Sequence, residues 1–492
     1  MAERAVWRPP WYAWALLGLA ALALIHESAP HLLEGRGSVL TPLLVLAGVL
    51  AARRLWEVPP ATLMCVALAL TVFSGAWGLI GLGGLPLDRL AILGVLLAVF
   101  LRAPGIAHTP RLQLRNVHLL MGVTVLYVVG SAAVAGTLTN ETGSFTLIDQ
   151  FGAAPYLVFL LAPSIFAGRR ERNLLLGTLV ALGGYLGITA IFESLGPHGL
   201  VFPSYIVHVD AILPEARAGG PFQSSVGEGF ATFACAVAAV IAFTQWRGLR
   251  RRYIAALVAG VSMLGCFLTQ ERAVWIAAAL AGAVAALATK AGRRWIIPCT
   301  SICALLIGGA LLLSPALASK VTGRIEYKPS VWDRQNQTAA AFRMIQERPL
   351  FGLGWNRYET DSIEYFRQSE NYPLVGYSTT VKPQPLHDSY LSYTVELGLI
   401  GALLWLASLF WGVGSAVLSR GPAELRPWKL GLLAVGVFFV VVSLFNPYLQ
   451  AFPILLLWTW AGVALGGESL SVQARRAQWV AWLNRRAAEQ PA

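Results

Sequence analysis

The sequence predicts an all-α fold: a polytopic transmembrane helical bundle of about 12–14 spans with one long, partly helical extracytoplasmic loop. Of its 492 residues, 56% are hydrophobic and only 13% are charged, which is too little charge for the surface of a soluble protein of this length. Apolar stretches of roughly 15–25 residues recur along nearly the whole chain, the length that a membrane-crossing helix needs. Arg and Lys cluster at alternate connections between these stretches. Together these observations predict a protein that crosses a bilayer many times.

Each apolar stretch is a candidate span, and we expect its boundaries to hold to within a few residues. The candidate spans cover residues 11–24, 39–52, 61–82, 90–101, 117–138, 151–167, 173–195, 226–245, 253–268, 272–289, 295–313, 389–418, 430–444 and 449–465. The first stretch follows Arg4 and Arg8, as a signal sequence would. It has no clear small-residue cleavage site, so we expect it to be retained.

We expect residues 1–466 to form a single membrane domain, because the sequence shows no internal repeat and no low-complexity linker. All five cysteines fall inside candidate spans, which favours small core residues over a disulfide framework. In residues 467–492, Trp479 and Trp482 lie opposite paired arginines. This pattern is typical of an amphipathic helix on the cytoplasmic leaflet.

Basic residues predict which side each connection faces, because cytoplasmic loops retain an excess of Lys and Arg. With a cytoplasmic N-terminus, most of the 37 basic residues fall in alternate, cytoplasmic segments. Outside the long loop at 314–387, the exceptions are Arg36, Arg89, Arg217 and Arg272. Both termini are therefore predicted to be cytoplasmic and the long loop periplasmic. The net charge of +12 then reflects orientation and attraction to anionic lipid, and it does not indicate nucleic-acid binding.

Arg272 is unusual because it lies in a short outer connection at the start of an apolar helix. A cation is disfavoured there both by the nearby hydrocarbon and by the positive end of the helix dipole. Guanidinium together with backbone N–H groups at a helix start suits a phosphate group. The structural alternative is an arginine that snorkels and pairs with Glu271.

Arg217 lies on the same predicted side, before the Gly219-Gly220-Pro221 stretch. Glycines at such a point let the backbone approach a ligand closely, and they also make ordinary turns. The sequence leaves both interpretations open for Arg217.

His387 opens a span from the outer side, and Asp388 in its first turn is expected to be the helix N-cap. The positive helix start should keep His387 neutral near physiological pH and able to accept a proton. A purely structural histidine is the alternative, because His198 and His208 share that side without a defined role.

The outer face lacks the motifs of several other chemistries. It carries no DxD, no HExxH and no nucleophilic-serine motif, and the acidic stretch at 359–364 is typical of a solvated helix face. The Gly-Leu-Gly at 352–354 lacks the strand–helix context of a phosphate loop. We therefore expect no required metal and no cofactor.

Taken together, the stretches between residues 210 and 405 resemble the bacterial O-antigen ligase and polymerase superfamily. An arginine before a span occurs in Arg217-Ala-Gly-Gly-Pro-Phe222. A Ser/Thr-x-Arg-like helix start, with one residue more than the commonest form, occurs in Thr269-Gln-Glu-Arg272. The long outer loop contains Arg348-Pro-Leu-Phe-Gly-Leu-Gly354 and ends in His387-Asp-Ser-Tyr390, followed by Glu396-Leu-Gly-Leu-Ile-Gly401. In this chain an Asp replaces the more usual Asn after the histidine.

This resemblance implies a metal-independent, inverting glycosyltransferase of the bacterial inner membrane with a periplasmic active site. It implies transfer of a glycan from undecaprenyl diphosphate to an acceptor hydroxyl, on a glycan or on a lipid A core. Arg217 and Arg272 would be diphosphate ligands, and His387 the base or the group that orients the acceptor. Asp388 and Arg348 are expected to be neighbours of the site, and the amphipathic segment at 330–345 to roof it.

Other functions remain open at this point. Ligation to a lipid A core, polymerisation of O-antigen or exopolysaccharide, and transfer to protein share the donor half of such a site. A secondary transporter or lipid flippase also has many helices, but it usually shows repeated halves, broken helices and ionisable groups near the midplane. The candidates here, Glu228 and the Asp88–Arg89 pair, are expected near an interface. A transporter is therefore the more distant alternative.

Overall fold

A computed structural model describes residues 58–77, 79, 87–102, 114–138, 146–208, 217–290, 328–368, 373–374, 385–447 and 450–467, together with scattered residues elsewhere. The described part is built from helices and contains no β-strand. The predicted all-α fold is therefore confirmed.

Twelve principal helices follow one another along the described residues. They are α1 Pro60–Thr71, α2 Leu87–Arg102, α3 Asn116–Ala135, α4 Ala153–Ile165, α5 Arg169–Leu195, α6 Ser225–Gln245, α7 Leu249–Leu268, α8 Arg272–Leu287, α9 Pro329–Glu347, α10 Ser389–Leu418, α11 Arg426–Ser443 and α12 Ala451–Gly467. Helix α6 is the most enclosed of the long helices, packed by α5, α7 and α11. Large side chains such as Phe230, Phe438 and Trp460 fill the core around it.

Seven helical segments within the described residues are long and apolar enough to cross a membrane, so the chain is a multi-pass membrane protein. Three shorter apolar helices, α1, α8 and α12, accompany them. The candidate spans at 11–24, 39–52 and 295–313 lie outside the described residues. The expected span at 61–82 is corrected, because α1 ends at Thr71 and the chain continues in turns in which Gly75 has a φ of +83°.

Connections that the charge pattern assigns to opposite sides of the membrane lie at opposite ends of the bundle. At one end, Arg172 at the start of α5 pairs with Glu424 before α11, and Gln245 donates to the Glu424 carbonyl at 2.9 Å. At the other end, Arg217 in the connection before α6 pairs with Glu271 in the connection between α7 and α8, at 2.9 Å. Connections that are predicted to lie on the same side of the membrane therefore contact each other, as an alternating topology requires.

Helix α10 is interrupted at Gly398, whose φ of +68° and ψ of −178° are accessible essentially only to glycine. A break frees backbone groups that must find other partners. The loop after α9 supplies them: Leu353 and Gly354 N–H donate to the carbonyls of residues 395 and 396, and Leu399 N–H donates to the Pro349 carbonyl, all at 2.9 Å. The break therefore docks the long loop onto the start of α10.

Candidate active site

The segment that carries Arg217 is held through its backbone. The Glu193 carboxylate of α5 accepts hydrogen bonds from the N–H groups of Gly219 and Gly220, at 2.9 and 3.0 Å. Gly220 has a φ of +53°, and a Cβ there would lie 2.1 Å from a carboxylate oxygen of Glu228. The glycines thus make a tight turn against α5 and α6, and this turn sets the position of Arg217.

The Arg217 side chain lies inside the protein, with only 8% of it exposed. Its Nη2 donates to Glu271 Oε2 at 2.9 Å and to the Gln270 carbonyl at 3.3 Å. Its Nε is buried and has no hydrogen-bond partner among the described groups. Burial lowers the pKa of Arg217 and the negative charge of Glu271 raises it. An arginine remains charged under such opposing influences, so a buried cation with an unused donor lies at this end of the bundle.

Glu271 is the centre of the cluster. It is the N-cap residue of α8, and its side chain is 6% exposed. One of its oxygens accepts from Arg217, and the other lies 3.5 Å from Nη2 of Arg334 on α9. One carboxylate therefore joins two arginines from distant segments of the chain. The sequence suggested Glu271 only as a partner for Arg272 and did not indicate this contact.

Arg272 is the first residue of α8 and is half-buried. Its positive charge, like that of Arg334, lowers the pKa of Arg217, which places all three guanidinium groups within electrostatic reach. The structure thus brings together Arg217 and Arg272, which the sequence singled out, and adds Arg334. The cluster thus comprises the Glu271 carboxylate and three arginines.

The roof predicted at 330–345 is helix α9. Arg334 and Gln337 are three residues apart, which is the spacing of one helix face, and that face turns towards the cluster. Apolar residues further along α9 and the segments that it covers form one buried group: Ala341, Met344, Tyr358, Leu386 and Val395. This packing holds α9 on the start of α10.

His387 lies beneath α9, immediately before α10. Its backbone N–H donates to Oε1 of Gln337 at 3.1 Å, and its ring Nδ1 lies 2.9 Å from the same oxygen. The pKa of His387 is lowered to about 4, mainly by burial and also by the charge of Arg334, while the charge of Glu271 opposes the change. The expectation of a neutral imidazole is therefore supported. Its main cause is burial, whereas the sequence argument relied on the helix start.

Asp388 is the N-cap of α10, as predicted. Its Oδ1 accepts from the backbone N–H groups of Tyr390 and Leu391, at 2.8 and 3.0 Å. Burial raises the pKa of Asp388, and the two hydrogen bonds oppose that effect. These contacts explain the side chain as the group that starts the helix and holds the preceding His387 in place.

Arg348 is not part of the cluster. It is exposed at the end of α9, fourteen residues after Arg334, a separation of about 21 Å along a helix. Gly352 and Gly354 that follow it have positive φ, and a Cβ at Gly352 would lie 2.5 Å from the Glu396 carbonyl group. The Arg348–Gly354 motif therefore serves the docking of the loop onto α10, and a role for Arg348 as a neighbour of the site stays a prediction.

Two of the residues in contact at the site had no signal in the sequence. Gln337 is an uncharged residue on a polar helix, and Glu271 was assigned to a neighbouring arginine. Only the packing of α9 over the α7–α8 connection shows their contacts. Among the described residues there is no group of three or more His, Cys, Asp or Glu side chains that could hold a metal ion.

Comparison with known proteins agrees with the geometry. A family model described as O-antigen ligase matches residues 256–406, a range that includes Arg272, α9 and His387 but begins after Arg217. No curated protein matches the chain. Members of the matched family are glycosyltransferase-like membrane enzymes, ligases and polymerases, that act on lipid-linked glycans and glycan acceptors. This match supports the resemblance of the chain to the O-antigen ligase and polymerase superfamily.

Proposed function

We propose that this protein is a glycosyltransferase of the bacterial inner membrane that transfers a glycan from undecaprenyl diphosphate to an acceptor hydroxyl on the periplasmic side. The transfer would invert the configuration at the anomeric carbon of the sugar and would need no metal. Arg217 and Arg272 would bind the diphosphate, and His387 would act as the base. The N- and C-termini would be cytoplasmic, as the distribution of basic residues predicts.

The observation that carries the proposal is the buried carboxylate of Glu271, bound by Arg217 and Arg334 close to the neutral His387. Such a cluster has the form of an anion site, and it already holds one acidic group. Guanidinium groups gathered in this way suit the oxygens of a diphosphate, which they can bind bidentately. Because the cluster lies at one end of membrane-crossing helices, it would meet the headgroup of a lipid donor at the surface of the bilayer.

The reaction would proceed in one displacement. The acceptor hydroxyl oxygen would attack the anomeric carbon, and the bond from that carbon to the diphosphate oxygen would break. The proton would pass to His387, a step that contributes about 10²–10⁴ in rate in typical enzymes. The diphosphate would leave with its electron pair, and preorganised donors such as Arg217 and Arg272 typically contribute about 10²–10³ each.

A lipid diphosphate also fits the location of the site. No nucleotide is supplied outside the cytoplasmic membrane, so the energy for transfer must arrive in the donor. Cleavage of a phosphate ester bond at the sugar provides it. The amphipathic helix α9, which covers His387, would then separate the donor side from a groove for the acceptor.

The acceptor defines the alternatives within the superfamily. A lipid A core would make the protein an O-antigen ligase, a second lipid-linked glycan a polymerase, and a protein side chain an oligosaccharyltransferase. The chemistry described above serves all three equally, and we favour the ligase-like assignment to lipopolysaccharide or exopolysaccharide assembly.

A transporter or flippase receives less support. Helix α10 is broken, as transporter helices often are. However, the loop at 349–354 takes up the exposed backbone groups, so they do not serve an ion. Asp88 and Glu228 each lie in the first turn of a helix, near the ends of the bundle.

Reconstitution tests the proposal directly. Purified protein in liposomes receives a glycan on undecaprenyl diphosphate and no nucleotide, with core lipid or a second donor as acceptor. We expect transfer in the presence of EDTA and a loss of at least about 10² in rate for His387→Ala and for Arg272→Ala. A ladder of products would indicate a polymerase, and a single shifted band a ligase. Unchanged transfer by either variant, or no product with any acceptor, would refute the catalytic assignment.

A further inference from the structure

We propose that Gln337 is a positioning residue that sets the tautomer of His387, with the proton on Nδ1 and the lone pair on Nε2. The tautomer itself follows from the hydrogen bonds. Its consequence for the rate rests on the proposed role of His387 as the base.

The first step is the orientation of the Gln337 amide. Oxygen and nitrogen of a side-chain amide are assigned from their hydrogen bonds. The atom of Gln337 that lies 3.1 Å from the backbone N–H of His387 must be the oxygen, because a backbone N–H only donates. The backbone N–H of His387 therefore determines the orientation of the Gln337 amide.

The second step is the proton on the ring. The same Gln337 oxygen lies 2.9 Å from Nδ1 of His387. An amide oxygen only accepts, so Nδ1 must donate and carry the proton. In the neutral ring the other nitrogen, Nε2, is then the proton acceptor. One oxygen atom thus orients the histidine backbone and selects which ring nitrogen acts as the base.

The third step is the fixed orientation of the Gln337 side chain. Gln337 is 1% exposed, and its Nε2 is buried without a hydrogen-bond partner among the described groups. A half-turn of the amide would place its NH2 group opposite the backbone N–H and the protonated Nδ1 of His387, so that donors would face donors. A buried, sterically held amide does not exchange its two ends, so the tautomer is selected before substrate binds.

The charged groups around His387 agree with a neutral ring. Arg334 on α9 lowers the pKa of His387, and Glu271 at the start of α8 opposes it. Asp388 on α10 directs its carboxylate to the backbone of α10. Burial is the largest influence, and Gln337 carries no charge. A glutamine is thus suited to fix the tautomer without favouring imidazolium, which a carboxylate in its place would do.

Two substitutions at position 337 test the hydrogen-bond acceptor and the charge separately. Gln337→Glu keeps an oxygen opposite Nδ1 but adds a negative charge, so the acid limb of the kcat profile should move about 1–3 pH units upwards, with activity kept at high pH. Gln337→Met removes the acceptor at similar volume. It should lower kcat by about 10² at every pH, within the range of general-base catalysis, and leave KM nearly unchanged.

Asn336 provides a matched control, since it is the next residue on α9, is also buried, and donates to the Pro373 carbonyl instead of contacting His387. Asn336→Leu should leave the midpoint of the pH profile in place. If it shifts the midpoint as Gln337→Glu does, or if Gln337→Glu leaves it unchanged, the positioning role is wrong.

The tautomer can also be measured without transfer activity. We expect ¹⁵N NMR of histidine-labelled protein, with the signal of His387 assigned among the seven histidines by His387→Gln, to show the proton on Nδ1. In Gln337→Met it should move towards Nε2. A proton on Nε2 in the unaltered protein would overturn the inference. The expected tautomer in a protein that transfers no glycan would instead refute the proposed function alone.

Discussion

Glu271 holds two arginines with the same kind of contact that we propose they make to the donor. The buried Arg217 and the partly exposed Arg334 share this carboxylate. In the absence of a counter-charge, a buried arginine is costly, and removing one partner of a buried pair typically costs about 3–5 kcal/mol. The cluster therefore has an internal anion that keeps Arg217 and Arg334 in position.

Glu271→Gln should lower stability because Arg217 would lose its counter-charge. We expect a lower Tm in detergent, and a larger rise of Tm on adding a lipid diphosphate to the variant than to the unaltered protein, since the ligand would supply the missing anion. Glu364→Gln, at an exposed position outside the cluster, makes the same change of charge and serves as the control. An equal rise of Tm on adding the lipid diphosphate to Glu271→Gln and to the unaltered protein would contradict the placement of the diphosphate beside Arg217.

The pH dependence of transfer should reflect the environment of His387. Burial lowers the pKa of His387 to about 4, so the neutral form that accepts a proton persists well below the ordinary value of 6.5. Protonation, and with it loss of activity, should occur only as the pH falls through about 4. Initial rates measured from pH 8 down to below pH 4 record this limb of the profile. A midpoint near 6.5 would show that His387 is solvated and is not the buried group described here.

At the scale of helices, the broken α10 and the loop after α9 form one unit. Gly398 leaves helical geometry, and the 349–354 segment bonds to the backbone on both sides of it. Tyr127 of α3 adds a hydrogen bond to the Leu397 carbonyl at 2.8 Å. The glycines of the Arg348–Gly354 motif are needed because backbone meets backbone there. The motif therefore places α9, and through α9 both Arg334 and Gln337.

Gly398→Ala should disrupt this docking. The φ and ψ of Gly398 are strained for any side chain, and a Cβ would lie 2.2 Å from the Leu350 carbonyl oxygen. We expect the loop to become sensitive to protease and transfer to fall sharply. Gly414→Ala on the same helix is the control, because a Cβ there meets nothing within 4 Å. Equal protease resistance in the two variants would contradict the role of the break.

At the scale of the whole molecule, the alternation of basic loops and the contacts at each end describe the same topology. Arg172 and Glu424 meet at the end predicted to be cytoplasmic, and the cluster around Glu271 forms at the other. The helices between them separate the two ends. The proposed function requires that the end with the Glu271 cluster face the periplasm.

Labelling from one side of the membrane tests that requirement. Single cysteines replace the exposed Phe351 and Arg250 in a background without the native cysteines. An impermeant maleimide should label position 351 in intact spheroplasts and position 250 only after permeabilisation. The reverse pattern would place the arginine cluster in the cytoplasm and would rule out a periplasmic reaction.

The amino-acid sequence was sufficient for features that depend on local composition. Apolar length predicted helices such as α6 and α10 to within a few residues, since a span is defined by its own hydrophobicity. Asp388 could be recognised as an N-cap because capping involves only the next turn. The motifs around Arg217, Arg272 and His387 indicated the superfamily.

Contacts between distant segments were decided only by the tertiary structure. Glu271 and Arg334 are more than sixty residues apart, and the pairing of Gln337 with His387 spans fifty residues. No local periodicity encodes such contacts, because they depend on how α9 packs over the bundle. The same packing made burial, not the helix start, the main reason that His387 is neutral. Side-chain chemistry could thus be read along the chain, whereas its effective charge and tautomer depend on neighbours that folding brings together.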